Sequence, residues 1–181
     1  MQFEEIKTKR LTLRKLTPEV YRHVFEDLTE EEQVEFFGFS TQAELFTEEE
    51  KYRNGLTMFN KSFVLFHLIL NDTKKVIGWC GFHTWYTPHF RAELGYVMAD
   101  ENNMNKGYMT EALAPIINYG FQVMDLHRIE AMVGPGNSAS LTLLNKFHFK
   151  KEGHLREHYF KNNKMEDSIM LALLKREYEG K

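Results

Sequence analysis

The sequence predicts a mixed α/β (α+β) fold, in which a twisted, mostly antiparallel sheet is flanked by helices. Three observations carry that expectation. Strand-like runs follow one another over residues 62–98, and links that short join antiparallel neighbours. Helical and strand patterns then alternate from about residue 107 to residue 175. The 181 residues, 43% hydrophobic and 27% charged, suffice for one ordinary core and fall short of two comfortable ones, so one domain over 1–181 is expected.

Taken in order, Arg10 to Leu16 alternates Leu11 and Leu13 with Thr12 and Arg14, a half-buried first strand. Thr17-Pro18-Glu19 offers a cap followed by proline at the first helical position. Thr29-x-x-Glu32 is a capping box, with Gly38 as the stop of that second short helix. Thr47-x-x-Glu50 reads as another box, starting a helix towards Gly55. This acidic helical region, about residues 17–58, holds Phe36, Phe37, Phe39 and Phe46. They read either as a cluster packed on the sheet or as the wall of an acceptor pocket, since pockets are mostly apolar and aromatic.

Ser62 to Leu70 is apolar on both faces, as a strand covered on both sides would be. Asn71 to Lys75 is turn chemistry, and Val76–Trp85 and Ala92–Met98 give two more strands joined through Pro88. A long helix opens after Gly107 and runs to about Met124. Pro115 lies inside it, cannot donate to the Glu111 carbonyl, and predicts a kink rather than a stop, because the apolar pattern continues through Ile116, Tyr119 and Phe121. Arg128–Val133 is a short strand, Gly134-Pro135-Gly136-Asn137 a break, and Ser138–Phe147 a helix with Leu141, Leu144 and Phe147 on one stripe. Two strands close the pattern, about Lys150–Tyr159 and Asp167–Lys175, around Asn162-Asn163.

Composition removes several function classes. No run of 18 apolar residues is present, so no membrane span is expected. The opening MQFEEIKTKR lacks the apolar stretch of a secretory signal. Cys80 is the only cysteine, which rules out an internal disulfide and agrees with a cytoplasmic chain. A net charge of −3 with scattered Lys and Arg argues against a nucleic-acid partner. His154 and His158 are four apart, a spacing that would matter on a helix, but no HExxH or cysteine cluster supports a metal.

The stretch Asn102-Asn103-Met104-Asn105-Lys106-Gly107-Tyr108-Met109-Thr110-Glu111-Ala112-Leu113 links a strand to the long helix. A strand, a turn and a helix start leave backbone N–H groups pointing outward at the positive end of the helix dipole, which suits a phosphate. The same residues also fit an ordinary turn that uses Gly107 for its backbone freedom. It is not a nucleotide P-loop, because Tyr108 follows Gly107 where that loop needs lysine, and a single glycine makes no dinucleotide fingerprint.

What the stretch resembles is the acetyl-CoA pyrophosphate loop of the GNAT N-acetyltransferases, with Met104 at its Gln/Arg position, Gly107 at the central glycine and Met109 at the last small residue. Lys106-Gly107-Tyr108-Met109-Thr110-Glu111-Ala112 is similar to the version in the branch that acetylates ribosomal-protein N-termini, the RimJ/RimL-like branch. Further motifs agree: Thr8–Arg14, Ala92-Glu93-Leu94-Gly95-Tyr96, His127–Ala131, Asn137–Ser140 and Asn145–Gly153. The resemblance covers about residues 8–177. Departures are Met104 and Asn105 in the loop, His148 where a glycine usually ends the helix, and Leu144 where many members carry a tyrosine that protonates the thiolate. The resemblance implies a GNAT fold with about six to seven strands and a split between central strands around residues 92–99 and 128–133. It implies acetyl-CoA as co-substrate with no metal, and an amine acceptor that is a protein N-terminus or a small amine such as an amino acid, polyamine or antibiotic. A homodimer is compatible with it. The loop residues Met104, Asn105, Lys106, Gly107, Tyr108, Met109 and Thr110 would bind acetyl-CoA, as would Val97, Met98, Asn137 and Ser140.

Glu93 is the first chemical candidate, a base for an incoming amine or else a strand glutamate paired with Arg91. An α-amino acceptor, with a pKa of about 8, asks less of a base than a lysine at about 10.4. Asn137 or Ser138 caps the helix starting there, and with Leu144 in the tyrosine position Ser140 becomes the hydroxyl expected near sulfur. Cys80 reads as a buried inert thiol rather than an acyl carrier, and His83, His89 and His127 as ordinary strand-end or turn histidines. A non-catalytic acyl-CoA-binding module is the rival class, and the altered loop is its support.

Overall fold

The computed structural model describes residues 1–55, 62–161 and 163–180. The end of the acidic region at 56–58 and Asn162 of the last turn lie outside the described residues. Among the described residues, eight strands and six helices form a mixed α/β architecture. The strands are β1 (Glu5–Lys7), β2 (Leu11–Leu16), β3 (Ser62–Leu70), β4 (Val76–Tyr86), β5 (Arg91–Met98), β6 (Arg128–Val133), β7 (Lys150–Lys161) and β8 (Lys164–Leu174). The helices are α1 (Pro18–Asp27), α2 (Glu30–Phe37), α3 (Gln42–Arg53), α4 (Tyr108–Gln122), α5 (Ser138–Lys146) and α6 (Lys175–Glu179). The sheet order is β1-β2-β3-β4-β5-β6-β8-β7. Its eight strands exceed the six to seven expected, because β1 is three residues long, too short to carry a period.

The chain divides into two compact units, residues 1–84 with 95–116 and residues 85–94 with 117–181. In the first, β2 runs antiparallel to both β1 and β3. Leu11 and Leu13 are fully buried while Thr12 and Arg14 are only partly so, the alternation read from the sequence. In β3 four successive residues, Phe66 to Ile69, are buried, as a strand covered on both faces requires. Helices α1 to α3 lay Val20, Tyr21, Val24, Phe37 and Leu45 against Leu16 and Leu65 of the sheet.

The caps explain where these helices start. The Thr17 and Thr29 hydroxyls accept from the third residue on, and Gly38 ends α2 at φ +71°, the left-handed stop expected of it. The box expected at Thr47 is not a helix start. Helix α3 begins six residues earlier, at Thr41-x-x-Glu44, which has the same box chemistry. Thr47 lies mid-helix and donates its hydroxyl to the Ala43 carbonyl at 2.9 Å. Two boxes in one stretch compete, and the upstream one lets Leu45 reach the core. Phe46, expected within the aromatic cluster, is instead 62% exposed, turned away from the core that its neighbour Leu45 enters.

In the second unit, β5 pairs with β6 in parallel over Arg91–Glu93 and Arg128–Glu130. Strand β8 lies antiparallel to both β6 and β7. Strand β7 carries two register shifts, between Lys151 and Gly153 and between Leu155 and Tyr159. Helix α5 starts at the Asn137 cap. Helix α4 continues through Pro115 to Gln122, so the proline does not stop it. No described helix is long and apolar enough to cross a membrane.

Candidate active site

Everything around the loop at Gly107 belongs to the first unit. After β5 the chain makes a short 3-10 turn over Glu101–Asn103, capped by the Asp100 side chain, which accepts from the Asn102 N–H. Asn105 and Gly107 then take left-handed backbone angles, φ +59° and +78°, and α4 begins at Tyr108. Two left-handed residues turn the chain within three positions. Asparagine and glycine tolerate that conformation best.

Glu111, in the first turn of α4, fixes the loop to the start of β2. Its Oε1 accepts from the Thr8 hydroxyl and from the Arg10 N–H, both at 2.6 Å. Its Oε2 accepts from Arg10 Nε at 2.7 Å. Arg10 Nη1 in turn donates to the Lys106 carbonyl at 2.9 Å, and its guanidinium lies 4.4 Å above the Tyr108 ring. Burial raises the Glu111 carboxyl, but hydrogen bonds from Thr8 and Arg10 and the guanidinium charge outweigh it and hold it below the usual carboxylate range. One carboxylate therefore ties Thr8, Arg10 and Lys106 to the helix start. Thr8, Arg10 and Glu111 all fall within the family motifs, but nothing local in the sequence points to this role.

The expected loop residues fall into two groups. Met104, Asn105, Lys106 and Gly107 are exposed, and Tyr108 and Thr110 half-exposed. Met109 is buried, so only its backbone faces any ligand. A Cβ on Gly107 would meet nothing nearer than Arg10 Nη2 at 3.5 Å, so its glycine answers to backbone angle rather than to crowding by the protein. These residues fit the pyrophosphate of acetyl-CoA: open backbone at a helix start, the positive dipole end, and the cations Arg10 and Lys106 beside it.

Val97 and Met98 lie near the end of β5, where Val97 is 46% exposed. The backbone here is close-packed: a Cβ on Gly78 of β4 would stand 2.1 Å from the Val97 carbonyl oxygen. Both residues line a cavity of about 440 Å³ that also touches Phe37, Phe39, Trp79 and His67. The aromatic cluster of α1–α3 is thus at once sheet packing and cavity wall, where the sequence offered these as alternatives. His67 is buried between Phe36 and Phe37. Its Nδ1 has no hydrogen-bond partner among the described residues. Burial, and secondarily the charge of Arg14, pushes its pKa down to about 3, so it is neutral.

The second unit carries Glu93, Asn137 and Ser140. Glu93 is half-buried on β5 between the buried Ala92 and Leu94. Arg91 bonds Glu130 at 2.7 Å. Glu130 is itself buried and also accepts from Arg128, which reaches Glu152. The Tyr159 hydroxyl is pushed up by burial and by the nearby charge of Glu93, a neighbour the sequence did not suggest. Asn137 Oδ1 accepts from the Ser140 N–H at 3.0 Å, the cap expected of it, which leaves the Asn137 amide free to donate outward. Leu144, at the tyrosine position, is fully buried in the core.

The remaining candidates resolve simply. Cys80 is buried, and burial pushes its thiol well up, the inert state. His154 and His158 sit on strand β7, not on a helix, and bond Asp167 and Ser168. Among the described residues no cluster of His, Cys, Asp and Glu is placed to hold a metal.

Comparison with known proteins identifies the family. Residues 10–150 match the acetyltransferase (GNAT) domain family, a span that runs through both units. The uncharacterized N-acetyltransferase p20 of Bacillus licheniformis is 36% identical over 182 residues, covering 98% of this chain and 99% of that protein. The [ribosomal protein uS5]-alanine N-acetyltransferase of Escherichia coli is 33% identical over 109 residues, 60% of this chain and 56% of that protein. Among solved structures, the spermidine/spermine N-acetyltransferase SpeG from Vibrio cholerae superposes with a TM-score of 0.70 at 22% identity, covering 94% of this chain and 98% of that one, a likeness of fold. Helix start, glycine turn, glutamate tie and family match converge, and the chain belongs to the GNAT acetyltransferases, a family of acyltransferases.

Proposed function

We propose that this protein transfers the acetyl group of acetyl-CoA directly to a primary amine in a ternary complex. The observation that carries the reading is the loop at Gly107, held open at the start of α4 by the Arg10–Glu111 tie. Asn105 to Thr110 would receive the pyrophosphate through their backbone, with Met104 at the rim and Asn137 donating its amide to the pantetheine arm. Acetyl-CoA supplies the acetyl group as a thioester. Glu93 takes a proton from the amine, directly or through water. The backbone at Val97–Met98 polarises the thioester carbonyl, and the Ser140 hydroxyl delivers a proton at sulfur.

Two acceptor classes have support. The partial match to the uS5-alanine enzyme favours a protein N-terminus. The cavity of about 440 Å³ beside Val97 and Met98 favours a small amine. The test is release of free CoA by the purified protein over a panel of peptides with free N-termini, amino acids and other amines. Glu93→Gln should lower turnover by about 100- to 10,000-fold, most severely at low pH where the amine is protonated. Ser140→Ala should lower turnover while leaving acetyl-CoA affinity nearly intact, because the hydroxyl matters chiefly as charge develops on sulfur. Acetyl-CoA binding with no transfer to any amine would make the chain a binding module instead.

A further inference from the structure

Gly95 lies inside β5, where a residue without a side chain weakens a strand and marks a close approach. A Cβ there would stand 2.7 Å from His83 Nε2 and 3.4 Å from Trp79 Cζ3, both on β4 and both in the first unit with Gly95. Glycine is therefore what admits the imidazole. Along β4, Trp79 and His83 are half-buried while Cys80 and Phe82 are fully buried, so the two rings share the accessible side of that strand. Gly95, flanked by both, is itself only half-buried. Trp79 is also a wall of the cavity of about 440 Å³, with Val97 and Met98, whose backbone polarises the thioester in the proposed transfer. His83 Nδ1 lies 3.1 Å from the Thr84 hydroxyl. With Nδ1–H donating to that oxygen, the lone pair of the neutral ring is on Nε2, the atom at Gly95. Burial pushes the pKa of the ring below its ordinary 6.5, so at pH 7 it is neutral. The titratable residues of the strands beside β4 are His67 on β3 and Arg91, Glu93 and Tyr96 on β5, of which Arg91 is bonded to Glu130.

We propose that His83 is a catalytic residue of the transfer, its imidazole taking the proton that the acceptor amine releases. The proposal rests on the acetyltransferase reading above and gives it a base in addition to Glu93. An N–H bond of the acceptor ammonium breaks and its proton passes to Nε2. The freed lone pair attacks the thioester carbonyl carbon, a C–N bond forms and the C–S bond breaks. A second N–H proton balances the one delivered to sulfur. The products are the amide, the CoA thiol and an imidazolium, which returns its proton to solvent. Imidazole suits this step better than a carboxylate does, because a base works best with a pKa near the working pH.

CoA release is measured on the full chain at pH 7 and at pH 9, with a hexapeptide carrying an N-terminal alanine and with alaninamide, one acceptor of each class. His83→Ala should lower kcat/KM about 100-fold at pH 7. The deficit should shrink to less than about tenfold at pH 9, where an α-amine with a pKa of about 8 is already neutral. Lost packing alone would cost the same factor at both. Gly95→Ala, whose Cβ displaces the ring, should repeat part of the pH 7 loss and add nothing to it in the double variant. Calorimetry should give the parent's acetyl-CoA affinity for all three. Parent kcat/KM in His83→Ala, or an equal deficit at both pH values, overturns the inference and leaves the acetyltransferase standing. So does transfer to neither of these amines where another primary amine is acetylated. Acetyl-CoA binding with transfer to no amine overturns both.

Discussion

His148 occupies the position just past the C-terminus of α5 at φ +66°, with its N–H donating to the Asn145 carbonyl at 2.9 Å. That is the left-handed stop that most helices give to glycine. Holding an L-residue there costs about 1 kcal/mol. His148→Gly should therefore raise stability, by about 0.5–1 kcal/mol after the extra freedom of glycine in the unfolded chain is counted, read as a shift of the urea midpoint. The strain was legible because the family pattern puts glycine there. The Asn137 cap was legible too, since a cap bonds within three residues of its own position. The Glu111 tie was not, because its partners lie about a hundred positions away in sequence. No local pattern tells a glutamate in a first helical turn whether it faces water or a strand.

At the scale of elements, the capping boxes separate what sequence reading does well from what it does poorly. Thr29-x-x-Glu32 was placed correctly, with nothing nearby to compete. Between residues 41 and 50 two boxes follow one another, and the helix starts at the upstream one, which places Leu45 in the core. Opposite responses follow. Thr41→Ala should destabilise by about 1 kcal/mol. Thr47→Ala should be neutral or slightly stabilising, since alanine is the better helix former in a helix interior. Equal losses in thermal unfolding would mean that both threonines start helices. The loop and α4 form a second such element, made rigid from outside by β2. Glu111→Gln keeps the shape and loses the charge on which Thr8 and Arg10 converge. It should weaken acetyl-CoA binding by about tenfold, close to 1.4 kcal/mol, with the Lys106 carbonyl released. An unchanged affinity by calorimetry would mean that the tie is structural only. Gly107→Val should be worse than Gly107→Ala, because a β-branched residue tolerates φ +78° least.

For the whole molecule, the mixed α/β class and the succession of strands and helices along the chain followed from period, link length and motif order, because each is a local property repeated along the chain, whereas the strand order within the sheet did not. What stayed hidden was the environment of single side chains. Nothing in Phe66-His67-Leu68 says that the histidine would be buried and uncharged, and that fact sets how the protein responds to acid. In the folded state its pKa is about 3, against 6.5 for the free side chain. The folded state therefore binds fewer protons than the unfolded chain between those values. The stability tied to His67 is fully present above about pH 6.5 and is lost as pH falls towards 3, by at most about 1.4 kcal/mol per pH unit. Glu111 and Glu152, whose carboxyls are held low by Arg10 and Arg128, add losses of the same sign, but only below the ordinary carboxylate value of 4.5. The two contributions occupy different windows and can be separated. Urea unfolding of the parent should already weaken between about pH 6.5 and 5, where the paired carboxylates are still ionised. His67→Phe replaces the ring with an apolar one that binds no proton, and it should flatten that limb in part, the remainder belonging to His83, whose pKa burial also lowers, while leaving the steeper loss at lower pH. A variant whose stability falls between pH 6.5 and 5 as steeply as the parent's would place the proton uptake elsewhere, and His67 would then titrate much as a solvated histidine does.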